Sequence, residues 1–262
     1  MTATFLRKAA KATVLPAGMA TRRRPGDVVI LLYHRVGDGG EEIEISRSAF
    51  TRHLEWLREH ARVLSLEQAL EQGSEGGVVL TFDDGYRDFH DSVLPLLLEH
   101  QLPATLYLAT GLVDERSATA NGRPRLSWGH LRDAVSTGLV TVGAHTHSHS
   151  DLSQAGEAEC ENEMRRSKDL IEDGLGVACD HFAYPFAVSS PAADRVARRL
   201  FRSAALDAWR TNRRGRFDPY RLGRTPVLRS DGGTFFRAKV AGRLDAEAWL
   251  YRALRRGPWR DA

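Results

Sequence analysis

The sequence predicts an α/β fold: a parallel sheet with helices outside it, in one domain. Three observations carry this. Continuous apolar runs of strand length alternate with segments whose apolar residues recur at helical spacing. The 262 residues suffice for one large α/β domain, and hydrophobic residues at 42% can fill its core. Ionisable residues gather just past the ends of three of the apolar runs, where a parallel sheet places its chemistry. A closed or nearly closed β/α barrel and an open doubly wound sheet both satisfy this pattern.

The elements follow in order. Val28-Val29-Ile30-Leu31-Leu32-Tyr33 suits a strand buried on both faces. A polar, glycine-containing loop runs from Arg35 to Ser46. Phe50, Leu54 and Leu57 define a helix over Ser48 to His60, and Ser65 is placed as the N-cap of a short helix, Leu66 to Leu70. Val78 to Phe82 is a second buried strand. Tyr86 to His100 reads as a helix kinked at Pro95, followed by a strand over Ala104 to Ala109. Gly111 to Ser127 is a loop, Trp128 to Ser136 a helix, and Leu139 to Ala144 a strand ending at His145. A polar helix over Ala155 to Asp173 is closed by Gly174. His181 to Tyr184 is a short strand, and Ala192 to Phe201 a helix. Ser203 to Leu206 and Thr225 to Leu228 are strands, and Asp245 to Arg256 is a final amphipathic helix. The core domain thus spans residues 27–240, with a C-terminal helix in 241–262.

Composition excludes several classes. No apolar run reaches the roughly 20 residues of a membrane span. A net charge of +3 does not by itself indicate a nucleic-acid partner. Cys160 and Cys179 form no CxxC pair and read as reduced thiols. Residues 1–26 are basic, with Arg7, Lys8, Lys11, Arg22, Arg23 and Arg24 before the first acid at Asp27. They form either a basic tail or an amphipathic helix on an anionic membrane surface. The first two readings place the protein in the cytoplasm or peripherally at a membrane. A signal peptide, interrupted by Lys11 and shortened by Pro16, is the competing reading and would make the protein secreted.

Two motifs carry chemistry. Thr81-Phe82-Asp83-Asp84-Gly85 sets adjacent carboxylates at a strand end. Adjacent like charges need neutralising, and a metal ion does this for one while leaving the other free as a base; a helix-capping pair is the alternative. His145, His147 and His149 alternate within the segment Gly143 to Leu152, and a spacing of four can bring His145 and His149 together on a helical turn. With an Asp pair at another strand end, an Asp-His-His metal triad is the favoured reading, leaving a coordination position open for water. His34 follows the first strand and falls in the same layer.

These motifs resemble those of the polysaccharide deacetylase family, also called the NodB-homology or carbohydrate esterase 4 family. The resemblance rests on Thr81 to Gly85, on His145 through His149 to Leu152, and on Phe182-Ala183-Tyr184-Pro185-Phe186; it covers about residues 28 to 228. It implies a distorted (β/α) barrel and a divalent metal, commonly zinc, held by Asp84, His145 and His149. Asp83 is implied as general base, and the backbone N–H of Phe186 as an oxyanion donor. His147 falls at a variable position outside the ligand set. The family's usual arginine, which steadies the base, is replaced by Ala183; Arg224 is the candidate substitute. The catalytic-acid histidine usually lies C-terminally, whereas Ile30 to His34 has its character here. That resembles the circularly permuted branch, which includes poly-N-acetylglucosamine deacetylases, and implies His34 as general acid. The implied function is removal of N-acetyl groups from amino sugars of a polysaccharide or glycoconjugate. The alternatives are deacylation of a small or lipid-linked amino sugar, and a catalytically impaired carbohydrate-binding module.

Overall fold

In the computed structural model, which describes residues 24–71, 75–114, 123–206 and 210–243, the apolar runs become the strands of a closed parallel barrel. β1 (Val28–Tyr33) is followed by two short paired strands, β2 (Arg35–Val36) and β3 (Glu44–Ile45), inside the segment expected as loop. Then come helices α1 (Arg47–His60) and α2 (Leu66–Leu70), and strand β4 (Gly77–Phe82). α3 (Leu94–His100), β5 (Ala104–Leu108), α4 (Trp128–Ser136), β6 (Val140–Ala144) and α5 (Glu157–Leu175) follow. β7 (His181–Ala183), α6 (Pro191–Leu200), β8 (Ser203–Leu206), β9 (Leu222–Pro226) and α7 (Gly233–Val240) complete the described chain. The barrel order is β1-β4-β5-β6-β7-β8-β9, closed by β9 against β1 through Ile30 and Arg224. Closure decides between the two sheet arrangements that the sequence allows.

Strands in a barrel alternate inward and outward residues. Val29, Leu31, Val78, Leu80, Leu106 and Phe182 belong to the larger core, which includes the buried faces of the helices. Val28, Ile30, Val79, Tyr107, Ala183, Ala205 and Leu222 form a separate buried cluster inside the barrel. Both faces of each strand are therefore apolar, so the strands read as unbroken hydrophobic runs. Gly143 lies against Tyr107: a Cβ there would sit 2.8 Å from the Tyr107 ring and 2.8 Å from the His181 carbonyl oxygen.

Several expected boundaries are corrected. The stretch Tyr86 to His100 is not one kinked helix. Tyr86 bridges to Arg125, and Phe89–Val93 is a wide π-helical turn before α3. Pro95 has no N–H to offer the Asp91 carbonyl, and the turn before it widens so that Leu94 N–H reaches the Phe89 carbonyl. Gly174 does not end its helix. Gly176 does, at φ +68, while Gly174 lies inside α5, where a Cβ would meet the Trp128 ring at 2.6 Å. The last strand is Leu222–Pro226, not Thr225 to Leu228; Gly223 and the buried Arg224 hide it from a hydrophobic pattern. The short helix over Leu66 to Leu70 is present, with Ser65 and Gln68 forming a capping box. Residues 1–23 and the expected helix Asp245 to Arg256 lie outside the described residues. Among the described residues no helix is long and apolar enough to cross a membrane.

Candidate active site

The inward register of the strands generates the site. On β1 it runs Val28, Ile30, Leu32 and then His34. On β4 it runs Val79, Thr81, Asp83; on β6, Thr141, Gly143, His145; on β9, Leu222 and Arg224. The main-chain ladder continues past the strand ends, with Asp83 N–H donating to Tyr33 C=O at 3.1 Å and His145 N–H to Leu108 C=O at 3.0 Å. The last residues of these rows, His34, Asp83, His145 and Arg224, line one cleft of about 140 Å³ at the C-terminal mouth of the barrel, together with Asp84, His149, Tyr184 and Phe186.

Asp84 is out of register with Asp83 and would point toward the helices on a regular strand. A left-handed conformation, φ +73, brings its side chain back over the cleft, and Gly85 follows at φ +70. Thr146, His149, Phe186 and Ala187 are also left-handed, so among the described residues five of the seven non-glycine residues with positive φ cluster at this mouth. The segment carrying His145 and His149 is therefore not the helical turn that their spacing suggests. It is an irregular loop after β6, and the left-handed residues bring the two rings to a centroid separation of 5.0 Å.

Asp83 makes a two-pronged ion pair with Arg224: Nη1 to Oδ1 at 2.6 Å and Nη2 to Oδ2 at 2.7 Å, with both side chains almost fully buried. Burial pushes the Asp83 carboxyl up, but Arg224 and His145 outweigh it and hold it below the usual range. Ala183 is buried in the inner-barrel cluster that contains Tyr107, and the Arg224 guanidinium lies 5.3 Å from the Tyr107 ring centroid.

Three ligand atoms, one each from Asp84, His145 and His149, lie within 4.8 Å of one another. Asp84 Oδ1 is buried and accepts no hydrogen bond of regular geometry, although His145 Nε2 is 3.4 Å away and His149 Nε2 3.2 Å. His145 Nδ1 is 2.8 Å from the Ala183 carbonyl oxygen, so it carries the proton and donates, leaving the Nε2 lone pair toward Asp84. Burial opposes ionisation of Asp84, yet the imidazoles of His145 and His149 beside it hold its carboxyl well below the usual range. Burial pulls His145 down, and Asp83 and Asp84 more than reverse it. Two imidazole nitrogens and an under-bonded carboxylate, in surroundings that favour positive charge, fit a divalent cation.

His34 is half-buried at the end of β1. Burial lowers its pKa, opposed by Asp84 and Asp83. Phe186 sits at the rim, 43% exposed, its ring edge-on to His149 at 4.7 Å. The structure thus brings together every residue singled out by sequence except His147, whose Nδ1 lies 3.0 Å from Thr110 Oγ1. Sequence reasoning missed Tyr86 and Arg125, which also line the cleft. Arg125 donates to the Asp84 main-chain oxygen at 2.9 Å and stacks 3.9 Å from the Tyr86 ring centroid. Only the pairing of residues 123–126 with the Asp84 turn reveals this, and nothing local in the sequence signals that pairing.

Fold and site define a (β/α) barrel with an Asp-His-His cluster and an arginine-held carboxylate at its mouth. The sequence profile of the polysaccharide deacetylase family matches residues 71–203, and the chain belongs to that family. Among curated relatives, poly-β-1,6-N-acetyl-D-glucosamine N-deacetylase of Staphylococcus aureus is 26% identical over 158 residues, covering 55% of this chain and 54% of the relative. The match spans about half the length of the curated relatives. Among solved structures, IcaB from Ammonifex degensii superposes with a TM-score of 0.73 at 24% identity, covering 85% of this chain and 99% of that one. A Streptococcus pyogenes deacetylase solved with acetate gives a TM-score of 0.73 at 23% identity, covering 83% and 99%. These likenesses establish the barrel as the fold these proteins share.

Proposed function

We propose that the protein is a divalent-metal-dependent N-deacetylase acting on N-acetylated amino sugars of a polysaccharide or glycoconjugate. One observation carries the reading: a carboxylate held ionised by a buried arginine stands beside an under-bonded Asp-His-His cluster in a single cleft. Asp84, His145 and His149 would hold the cation, with zinc favoured by the nitrogen-rich donor set. A cation bound there supplies Lewis acidity toward an amide carbonyl and toward water.

The chain's own groups would do the rest. Asp83 is adjacent to the ligand set without belonging to it and accepts a proton from the attacking water. Arg224 keeps that carboxylate ionised and fixes its plane through two parallel bonds. The Phe186 main-chain N–H, at the rim, donates to the oxyanion that forms on the acetyl oxygen. His34, whose ladder neighbour across β4 is Asp83, gives a proton to the departing nitrogen, and its burial favours release of that proton. The Ala183 carbonyl keeps His145 in the tautomer that presents Nε2. The products are acetate and a free amine on the sugar.

β-1,6-linked N-acetylglucosamine is the first substrate to try, being the polymer for which the S. aureus relative is named. Mass spectrometry of N-acetylglucosamine oligomers incubated with zinc-loaded protein tests the reaction. Loss of an acetyl group, 42 Da as roughly reckoned from composition, is expected, and its absence across neutral oligomers and lipid-linked amino sugars refutes deacetylation. The basic residues 1–26 favour a second site of action, at an anionic membrane surface on a lipid-linked amino sugar. Vesicle flotation with and without those residues decides it.

A further inference from the structure

We propose that Glu163 and His147 form a buckle that sets the geometry of the ligand-bearing loop, acting as positioning residues for the cation site. The inference rests on the reading of Asp84, His145 and His149 as a metal centre. After β6 the chain has no helix or strand to hold it, and Thr146 and His149 adopt left-handed conformations at φ +61 and +58. Such a loop needs restraint from outside, because neither residue favours that region.

Glu163 on α5 provides it. One of its carboxylate oxygens, Oε2, accepts from the main-chain N–H groups of both His147, at 2.9 Å, and Ser148, at 2.8 Å. The helix itself is fixed in the core by buried Cys160 and Met164 on either side of Glu163. On the same helix Glu157 and Glu161 pair with arginines and Glu172 pairs with Lys168. Among the described residues no basic side chain pairs with Glu163, so its charge is directed at the loop. Charge-assisted bonds of this kind are about twice as strong as neutral ones.

His147 closes the other side. Its carbonyl accepts from Gly111 N–H at 2.7 Å, and its Nδ1 meets the Thr110 hydroxyl at 3.0 Å. A Cβ at residue 111 would come within 2.7 Å of that carbonyl oxygen, so glycine there permits the approach. Thr146 Oγ1 accepts from Ser150 N–H at 3.1 Å and tightens the loop internally. The middle histidine of the His-x-His-x-His run is thereby turned away from the ligand set and spent on holding the loop. Groups that orient metal ligands from outside typically matter 10–100-fold in affinity.

The test is zinc affinity of the full chain, measured by competition with a chelator, alongside the cobalt(II) absorption spectrum. Glu163→Leu is expected to weaken zinc binding about 10–100-fold, and Glu163→Gln, which keeps an accepting oxygen without the charge, by roughly 3–10-fold. His147→Ala is expected to weaken it about 10-fold with the shape of the cobalt spectrum unchanged. Zinc affinity of Glu163→Leu within about twofold of wild type overturns the proposal, as does a cobalt spectrum altered in His147→Ala, which would make His147 a ligand. Should Glu163→Leu fail to fold, Glu163→Gln and His147→Ala carry the test, and affinities within twofold of wild type in both overturn it. Wild-type protein that binds zinc no better than Asp84→Asn overturns the metal-centre reading itself, a result separable from failure of the buckle.

Discussion

Replacing Arg224 with methionine removes a positive charge from beneath Asp83 while keeping a side chain of similar length. Both partners are almost fully buried, with side-chain exposures of 1% and 3%, so water cannot take the arginine's place. Breaking such a pair and stranding the remaining charge costs about 3–5 kcal/mol. In a domain of this size that lowers the melting temperature by about 6–20 °C. The loss depends on pH in a definite direction. In the wild type Asp83 is held below its ordinary value of 3.8, so its ion pair stabilises the fold above that pH and is lost as pH falls. In the variant burial is less opposed, the Asp83 pKa rises, and protonation relieves the stranded charge. The deficit of Arg224→Met relative to wild type therefore shrinks as pH drops from neutral toward 4. Urea unfolding at several pH values measures this, and the double variant Asp83→Asn/Arg224→Met, with no charge left to strand, is expected to be more stable than Arg224→Met. A deficit below about 1 kcal/mol at neutral pH, or one that does not change with pH, refutes the account of Arg224 as the partner that keeps Asp83 ionised.

Asp83→Asn is expected to retain zinc and lose most turnover, whereas His145→Ala loses zinc; elemental analysis beside an acetate-release assay separates the two, and full zinc occupancy in His145→Ala removes it from the ligand set. His53 is buried against Phe236, its ring stacked at 3.7 Å, and burial lowers its pKa from 6.5 to about 4 despite the opposing Asp231. Its neutral form is favoured by folding, so that contribution is complete above pH 6.5 and falls by about 3 kcal/mol as pH drops to 4; urea midpoints of wild type and His53→Phe across that range should show a shallower decline in the variant. Ala187 sits at φ +60, so Ala187→Gly is expected to raise stability by about 0.5–1 kcal/mol and Ala187→Val to lower it, both read from thermal unfolding.

The legibility of this protein in its sequence divides along one physical line. Features encoded by residues near one another in the chain were readable: the buried strands, the Ser65 cap, and the Asp83-Asp84 and His145-x-x-x-His149 pairs. Features that exist only because β9 closes against β1 were not. Arg224 is singled out only through the family resemblance, as the substitute for the arginine that Ala183 replaces, and its strand is misplaced toward Thr225 to Leu228 because a buried charge, Gly223 and Pro226 interrupt the apolar run. Its significance is set by register: two residues beyond inward-facing Leu222, it must enter the barrel, where Asp83 is the nearest carboxylate it can satisfy.

The same register argument orders the whole site. His34, Asp83, His145 and Arg224 continue inward rows and need no special backbone to reach the cleft. Asp84 and His149 lie off those rows and reach it through left-handed turns. The proposed base and acid thus stand on strand ends, whereas two of the three proposed cation ligands stand on loops with left-handed residues. Such loops keep their shape only when neighbouring groups hold them. Arg125 holds the Asp84 turn through its carbonyl, and Glu163 holds the His149 loop through two N–H groups. Weakening either clamp should therefore be felt first in cation affinity, while changes to Arg224 should be felt first in the ionisation of Asp83. That separation makes the two halves of the site independently testable.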